Sequence, residues 1–135
     1  EISLSEGVEE FLDYCKAHNI FIAILTNGRT KSQYAKVIAL DLHRWFDDDH
    51  IFISGGIGYQ KPDPMAFQYI EKMFSLNPEE TWYIGDTYEA DVVGADGAGW
   101  HTVWFNHRNR ERLENCADVT VRSIEELSRF IKERS

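Results

Sequence analysis

Short apolar runs that end in turn-forming or reactive residues, separated by stretches of helical periodicity, constrain this chain more than any other feature. FIAILTN (21–27) is apolar up to Thr26 and Asn27, IFIS (51–54) leads into a glycine loop, TWYIGDT (81–87) ends around Asp86, and HTVWF (101–105) follows Gly99. A continuous apolar run of this length reads as a strand buried on both faces, and strands that alternate with helices read as a parallel sheet. Between the runs, Val8, Phe11, Leu12 and Cys15 recur at helical spacing. Further helices are expected over about 31–42, from Pro64 behind an Asp63 cap, and over about 89–98. The tail adds a short helix, a weak strand near 119–122 and a helix from Ser123. The expected fold is α/β, a mostly parallel sheet with helices on both faces. No repeat, low-complexity tract or long linker divides the 135 residues, so one domain over 1–135 is expected.

In such a sheet the ligand site lies beyond the carboxyl ends of the strands. Thr26 and Asn27 close the first strand, Lys61 follows the second within GYQKPDP (58–64), and Asp86 closes the third with Asp91 five residues on. Hydroxyl, amide, ammonium and carboxylates are thereby directed to one edge. That set suits a phosphate held near a divalent cation. Thr26 Oγ and the Asn27 backbone N–H can donate to phosphate oxygens, and Lys61 can neutralise charge on a transferring phosphoryl group. Asp86 supplies the hard oxygen that magnesium prefers. Pro62 biases Lys61 toward an extended backbone and Pro64 starts a helix, so the ammonium leaves its loop in a restricted direction.

Each motif alone has a plainer explanation. Thr26-Asn27-Gly28 serves equally well as a turn, a lone lysine is usually solvated, and Asp86 and Asp91 suit the first turn of a helix through its dipole. Composition narrows the field from the other side. With 43% hydrophobic and 13% aromatic residues there is material for a core, which excludes whole-chain disorder. The 14 basic and 23 acidic residues give a net charge of −9, which argues against nucleic acid or an anionic membrane as partner. Cys15 and Cys116 have neither metal-ligand spacing nor the density of a disulfide framework. With no apolar run near about 18 residues and no signal-peptide pattern in EISLSEGVEE, a cytoplasmic setting is expected.

Taken in order, ILTNG (24–28), GYQKPDP (58–64) and GDTYEAD (85–91) resemble motifs two, three and four of the haloacid dehalogenase-like (HAD) hydrolases. The likeness extends to LSEGVEEFLDYC near the start and to GADGAGWHTVWFNHRN (94–109), and so covers nearly the whole chain. It implies a Rossmann-like three-layer α/β/α core, a magnesium cofactor, and hydrolysis of a small phosphorylated metabolite through an aspartyl-phosphate. It also implies roles: Thr26, Asn27 and Lys61 bind phosphate, Lys61 steadies the nucleophile, Asp86 binds magnesium and Asp91 supports the metal shell, with Lys61, Asp86 and Asp91 as the catalytic set.

One family motif has no counterpart in the sequence. The family's first strand ends in DxD, which supplies the attacking aspartate and the general acid and base. Asp47-Asp48-Asp49 contains that pattern, but it follows LHRWF and precedes a strand, where a solvated loop is expected. The chain therefore resembles the carboxyl-terminal part of the core, without the first strand or the cap, and alone it is expected to be inactive. Two function classes follow. One is a magnesium-dependent phosphatase to which this chain contributes phosphate and metal groups; the other is an inactive fragment acting as an interaction or structural module. In either case an N-terminal segment or a second copy is expected to complete the sheet. Trp82, Trp100 and Trp104 are expected in the core, while Tyr59 and Gln60 suit the pocket mouth and a surface loop equally well.

Overall fold

The structure, a computed structural model, describes residues 3–135 and divides the chain into two compact units, Glu1–Gly58 and Tyr59–Ser135. All recorded strand pairs are parallel, and they fall into a two-stranded sheet in the first unit and a three-stranded sheet in the second. The alternation of helix and strand thus yields the expected α/β class.

In the first unit, helix α1 (Glu6–Ala17) starts where Ser5 Oγ accepts from the Val8 amide at 3.3 Å. Its periodic face buries Phe11, Leu12 and Cys15, as the spacing requires. Strand β1 (Ile24–Thr26) pairs with β2 (Ile51–Ile53) in a register that sets Ile24 against Ile51 and Thr26 against Ile53. Helix α2 (Thr30–Ala39) lies between them in sequence and is followed by two 3-10 turns, Leu42–Arg44 and Asp48–His50. Leu25, Val37, Trp45 and Phe52 belong to the buried set of this unit. The short helix α3 (Ser54–Ile57) ends at Gly58, whose φ is +88°. Two expectations need correction. β1 has three residues where FIAILTN suggested seven, since only Ile24, Leu25 and Thr26 pair with β2. Nor is the whole run buried, for Phe21 is 45% exposed.

In the second unit, α4 (Pro64–Phe74) begins as the sequence indicates, with Asp63 Oδ1 accepting from the Met65 amide at 2.9 Å and Pro64 in the first turn. Strand β4 (His101–Phe105) lies between β3 (Trp82–Gly85) and β5 (Val119–Val121), which explains why its middle residues, Thr102 to Trp104, are all buried. Phe67 of α4 is fully buried, edge-on to Tyr83 at 5.0 Å and to Trp100 at 5.4 Å. Burial of such a ring contributes about 1.5–3 kcal/mol. Trp100 and Trp104 are core residues, while Trp82 is half-buried and stacks on His101. Tyr59 and Gln60 are exposed. Helix α6 (Ile124–Arg134) closes the chain with Ser123 Oγ accepting from the Glu126 amide.

The helix expected over 89–98 is instead a π-helical turn, Tyr88–Val93, running into the short α5 (Gly94–Gly97). The helix expected between β4 and β5 is replaced by a side-chain-built turn. Asn106, 3% exposed, donates through Nδ2 to the Arg110 carbonyl at 2.9 Å and accepts from the Arg110 amide at 3.0 Å, so its side chain satisfies groups that a helix would have paired internally. No helix among the described residues is long and apolar enough to cross a membrane.

Candidate active site

The lysine that precedes Pro62 and Pro64 is directed inward. Lys61 Nζ donates to Asp91 Oδ1 at 2.7 Å and to the Tyr83 hydroxyl at 3.0 Å, and only 11% of the lysine side chain and 6% of the aspartate side chain remain exposed. The peptide bond between Lys61 and Pro62 is cis. Burial pushes the Lys61 ammonium down, but Tyr83 and the Asp91 carboxylate more than offset this, leaving its pKa above the ordinary lysine value. Burial also raises the Tyr83 phenol above its ordinary value.

The π-helical turn brings Asp91 to this point. Asp91 Oδ2 accepts from the Thr87 amide at 2.9 Å while Oδ1 receives Lys61, so both carboxylate oxygens are engaged within the protein. Gly85 makes this possible by bulk alone, since a Cβ there would collide with the Asp91 Cβ and carboxyl group. A glycine before Asp86 is thus a packing requirement of Asp91.

Asp86 follows β3 directly and is differently placed, with 41% of its side chain exposed. Its Oδ1 accepts from the Thr87 hydroxyl at 3.3 Å, and its Oδ2 lies 3.3 Å from His107 Nε2 and 3.5 Å from Arg108 Nη2. Trp104 Nε1 donates to the Asp86 carbonyl at 3.3 Å, in keeping with the register that sets Gly85 against Trp104. Burial pulls the Asp86 carboxyl up, yet the His107 hydrogen bond and the Arg108 charge outweigh it and hold the group below the usual aspartate value. Asp86 is therefore an ionised, accessible, hard oxygen donor.

Magnesium is commonly bound through one or two carboxylates, with waters and substrate phosphate completing its shell. Asp86 fits that pattern as a direct donor. Among the described residues no group of three His, Cys, Asp or Glu side chains converges as a metal-binding cluster. The donor set fits a cation that shares its shell with solvent and substrate, rather than a closed protein cage.

Thr26 and Asn27 belong to the first unit. Thr26 Oγ1 accepts from Gln33 Nε2 at 2.6 Å, which leaves the hydroxyl proton as a donor. Gly28 is clasped from both sides, its amide donating to Ser54 Oγ at 2.9 Å and its carbonyl accepting from the Gly55 amide at 2.9 Å. Its φ of +144° and the 2.7 Å from a would-be Cβ to Gln33 Cγ explain why glycine ends ILTNG. The Asp47–Asp49 run is exposed and precedes β2, as expected of a loop, with Asp48 Oδ1 accepting from Tyr34 at 2.9 Å and lying 2.7 Å from His43 Nε2.

Tyr83, Asn106, His107 and Arg108 are additions to the sequence-derived set. His107 and Arg108 stand just past the end of β4, so the strand-end rule applied to HTVWF as well as to TWYIGDT would have found them. Tyr83 gave no such signal, since a tyrosine within a strand run reads as core.

The family model described as haloacid dehalogenase-like hydrolase matches residues 1–99. Glyceraldehyde 3-phosphate phosphatase of Pyrococcus furiosus is 30% identical over 125 residues, covering 90% of this chain and 51% of the relative. Phosphoserine phosphatase of Thermus thermophilus is 34% identical over 120 residues, covering 88% of this chain and 47% of the relative. This chain thus spans about half the length of these relatives. The crystal structure of the HAD-hydrolase YfnB of Bacillus subtilis bound to magnesium superposes with a TM-score of 0.80 at 29% identity, covering 95% of this chain and 56% of that one.

Proposed function

The chain belongs to the haloacid dehalogenase-like hydrolases, and from that membership we propose that it provides phosphate- and cation-binding groups of a magnesium-dependent phosphomonoester hydrolase. The observation that carries this reading is the buried Lys61 ammonium, fixed between Asp91 and Tyr83, in the same unit as the ionised, accessible Asp86 at the end of β3. A cation that cannot wander and a carboxylate that stays charged are what a transferring phosphoryl group requires. The relatives named above, phosphatases of small phosphorylated compounds, support a small phosphomonoester as substrate.

In this reading Lys61 meets a non-bridging phosphate oxygen and stabilises charge that grows on it during transfer. Asp91 and Tyr83 set the direction of the ammonium, and Asp91 acts on the site through Lys61 and the Thr87 turn. Asp86 is the direct ligand. When bound, magnesium would neutralise phosphate charge and orient the ester. Thr26, through its hydroxyl, and Asn27, through its amide, are assigned to phosphate contact on the family pattern. The attacking carboxylate is assigned to a DxD strand outside residues 3–135, with an aspartyl-phosphate formed on it. Among the described residues Asp86 is the one acid that directly follows a strand, and a metal ligand is poorly suited to attack as well.

The test is an assay of residues 1–135 on small phosphomonoesters with magnesium, alone and then mixed with a separately made segment carrying a family-type DxD strand. Turnover is expected only in the mixture. Turnover by the chain alone would overturn the assignment of the nucleophile, and a mixture that assembles yet stays inert would overturn the phosphatase reading.

A further inference from the structure

A carboxylate offered to a dication is here already in contact with two basic side chains. Arg108 Nη2 lies 3.5 Å from Asp86 Oδ2 and His107 Nε2 lies 3.3 Å from the same oxygen. Both separations exceed the roughly 2.7–2.9 Å of a tight charge-assisted bond. The Lys61–Asp91 pair in the same unit, at 2.7 Å and almost wholly buried, shows the contrast. Arg108 is 50% exposed and Asp86 41%, so the guanidinium can leave the carboxylate without disturbing the core.

The placement of Arg108 is nonetheless built. Asn106 is 3% exposed and ties both ends of its side-chain amide to Arg110, while its backbone amide donates to the Val121 carbonyl at 2.7 Å. The turn that carries residues 107 to 109 is thereby anchored to β5. Trp104 Nε1, on the Asp86 carbonyl, ties the end of β3 to β4 on the other side. A loosely engaged arginine on a firmly held turn is an arrangement suited to exchange.

We propose that Arg108 is a resident counter-cation of Asp86 that a divalent cation displaces on binding, so that cation affinity at this site is set by competition with the guanidinium. This rests on the reading of Asp86 as the direct ligand. Hard carboxylate oxygen favours a dication over a guanidinium by charge and by size, and the direction of exchange follows. In the absence of the dication, Arg108 keeps the acid compensated. Once displaced, the guanidinium is released beside the carboxylate it had covered.

The experiment is a titration of residues 1–135 with manganese, followed by isothermal calorimetry and by water-proton relaxation at low ionic strength, for the wild type, Arg108→Gln, Arg108→Lys and Asp86→Asn. Exposed ion pairs of this kind correspond to at most about a fivefold effect, so Arg108→Gln is expected to bind manganese about two- to fivefold more tightly. Arg108→Lys, which keeps a competing cation, should lie closer to the wild type, and Asp86→Asn should lose most of the binding. His107 remains in all of these variants, so the gain reports on Arg108. Amide and guanidino NMR signals of Arg108 should also move when magnesium is added to the wild type and stay in place in Asp86→Asn. An Arg108→Gln variant that binds no better, while Asp86→Asn still fails, overturns the exchange alone. An Asp86→Asn variant that binds as well as the wild type overturns both the exchange and the ligand assignment it rests on.

Discussion

At the end of β1, in the first unit, Thr26 and Gly28 are held by neutral partners: the Gln33 amide, the Ser54 hydroxyl and the Gly55 backbone. At the end of β3, in the second, the organising contact is a buried ion pair with a phenol beside it. The two regions use the same topological position and different physics. A neutral hydrogen bond contributes about 0.5–1.5 kcal/mol net, and its loss can be absorbed locally. A buried pair contributes little net relative to apolar replacements, but it makes the loss of either partner costly, because the other charge stays behind in a poor solvent. The neutral end can be retuned one group at a time, whereas the charged end stands or falls as a pair.

The sharpest way to break that comparison is to remove one charge. Asp91→Ala leaves the Lys61 ammonium buried, and Lys61→Ala leaves the carboxylate; each should lower unfolding free energy by about 3–5 kcal/mol in a denaturant titration. The double variant Lys61→Met with Asp91→Leu should recover much of the loss, since no charge is then stranded. If the double variant were no more stable than the singles, the contacts of the two side chains would matter as packing and not as charge.

The lysine's partner also shows how far the sequence could be read. Pro62 and Pro64 marked Lys61 as oriented, but the partner lies 30 positions away and no periodicity links the two. Asp91 carried a metal-shell expectation through the family resemblance, and nothing in GDTYEAD indicated that its carboxylate would turn inward onto a lysine. The 3.6-residue pattern that located a helix near 89–98 has no means of announcing the wider π-helical turn that carries Asp91. By contrast, the Asp63 cap and Pro64 were legible because each depends on neighbours in sequence. The shortness of β1 was not, since it depends on pairing with β2, which is remote in sequence. The turn over 106–110 escaped for a similar reason, being made by the two ends of one buried asparagine side chain.

A smaller effect separates Tyr83 from the pair it serves. Tyr83→Phe keeps the edge-on contact with Phe67 and removes one acceptor from the ammonium, a hydrogen bond to a charged group worth about 1.5–3 kcal/mol. In a reconstituted enzyme, a positioning role predicts a fall in kcat that exceeds any rise in KM, because the ammonium keeps its charge and loses its direction. Equal changes in both would reduce Tyr83 to a core residue. On the neutral side, Ser54→Ala removes the acceptor of the Gly28 amide and should cost about 1 kcal/mol, read by the same denaturant titration. A loss as large as that of Asp91→Ala would erase the distinction between the two strand ends.

The finest test compares two acids that each lie beside a histidine. Asp48, in the first unit, is 72% exposed and is held below the ordinary aspartate range by hydrogen bonds from His43 and Tyr34. Asp86 is held down by His107 and Arg108 against a burial that pulls the other way. For a depressed carboxyl, the stabilising contribution is present above the unfolded value of about 3.9 and is lost as pH falls through the lower folded value. Lys61 has the opposite sign: its raised pKa makes its contribution full below about 10.4 and lost only as pH rises through the folded value. Neither Asp86 nor Lys61 should therefore change charge between about pH 5 and 9. Carbon-13 titration of the side-chain carboxyls should place both aspartate midpoints below that of a model peptide. Raising the salt should move Asp86 toward its ordinary value by more than it moves Asp48, since the attraction to half-exposed Arg108 is screened while the hydrogen bonds that chiefly hold Asp48 are not. Arg108→Gln should raise the midpoint of Asp86 and leave Asp48 unmoved. A midpoint for Asp86 that ignored Arg108 would show that the guanidinium is a bystander in solution, and the charged strand end would then rest on Lys61 and Asp91 alone.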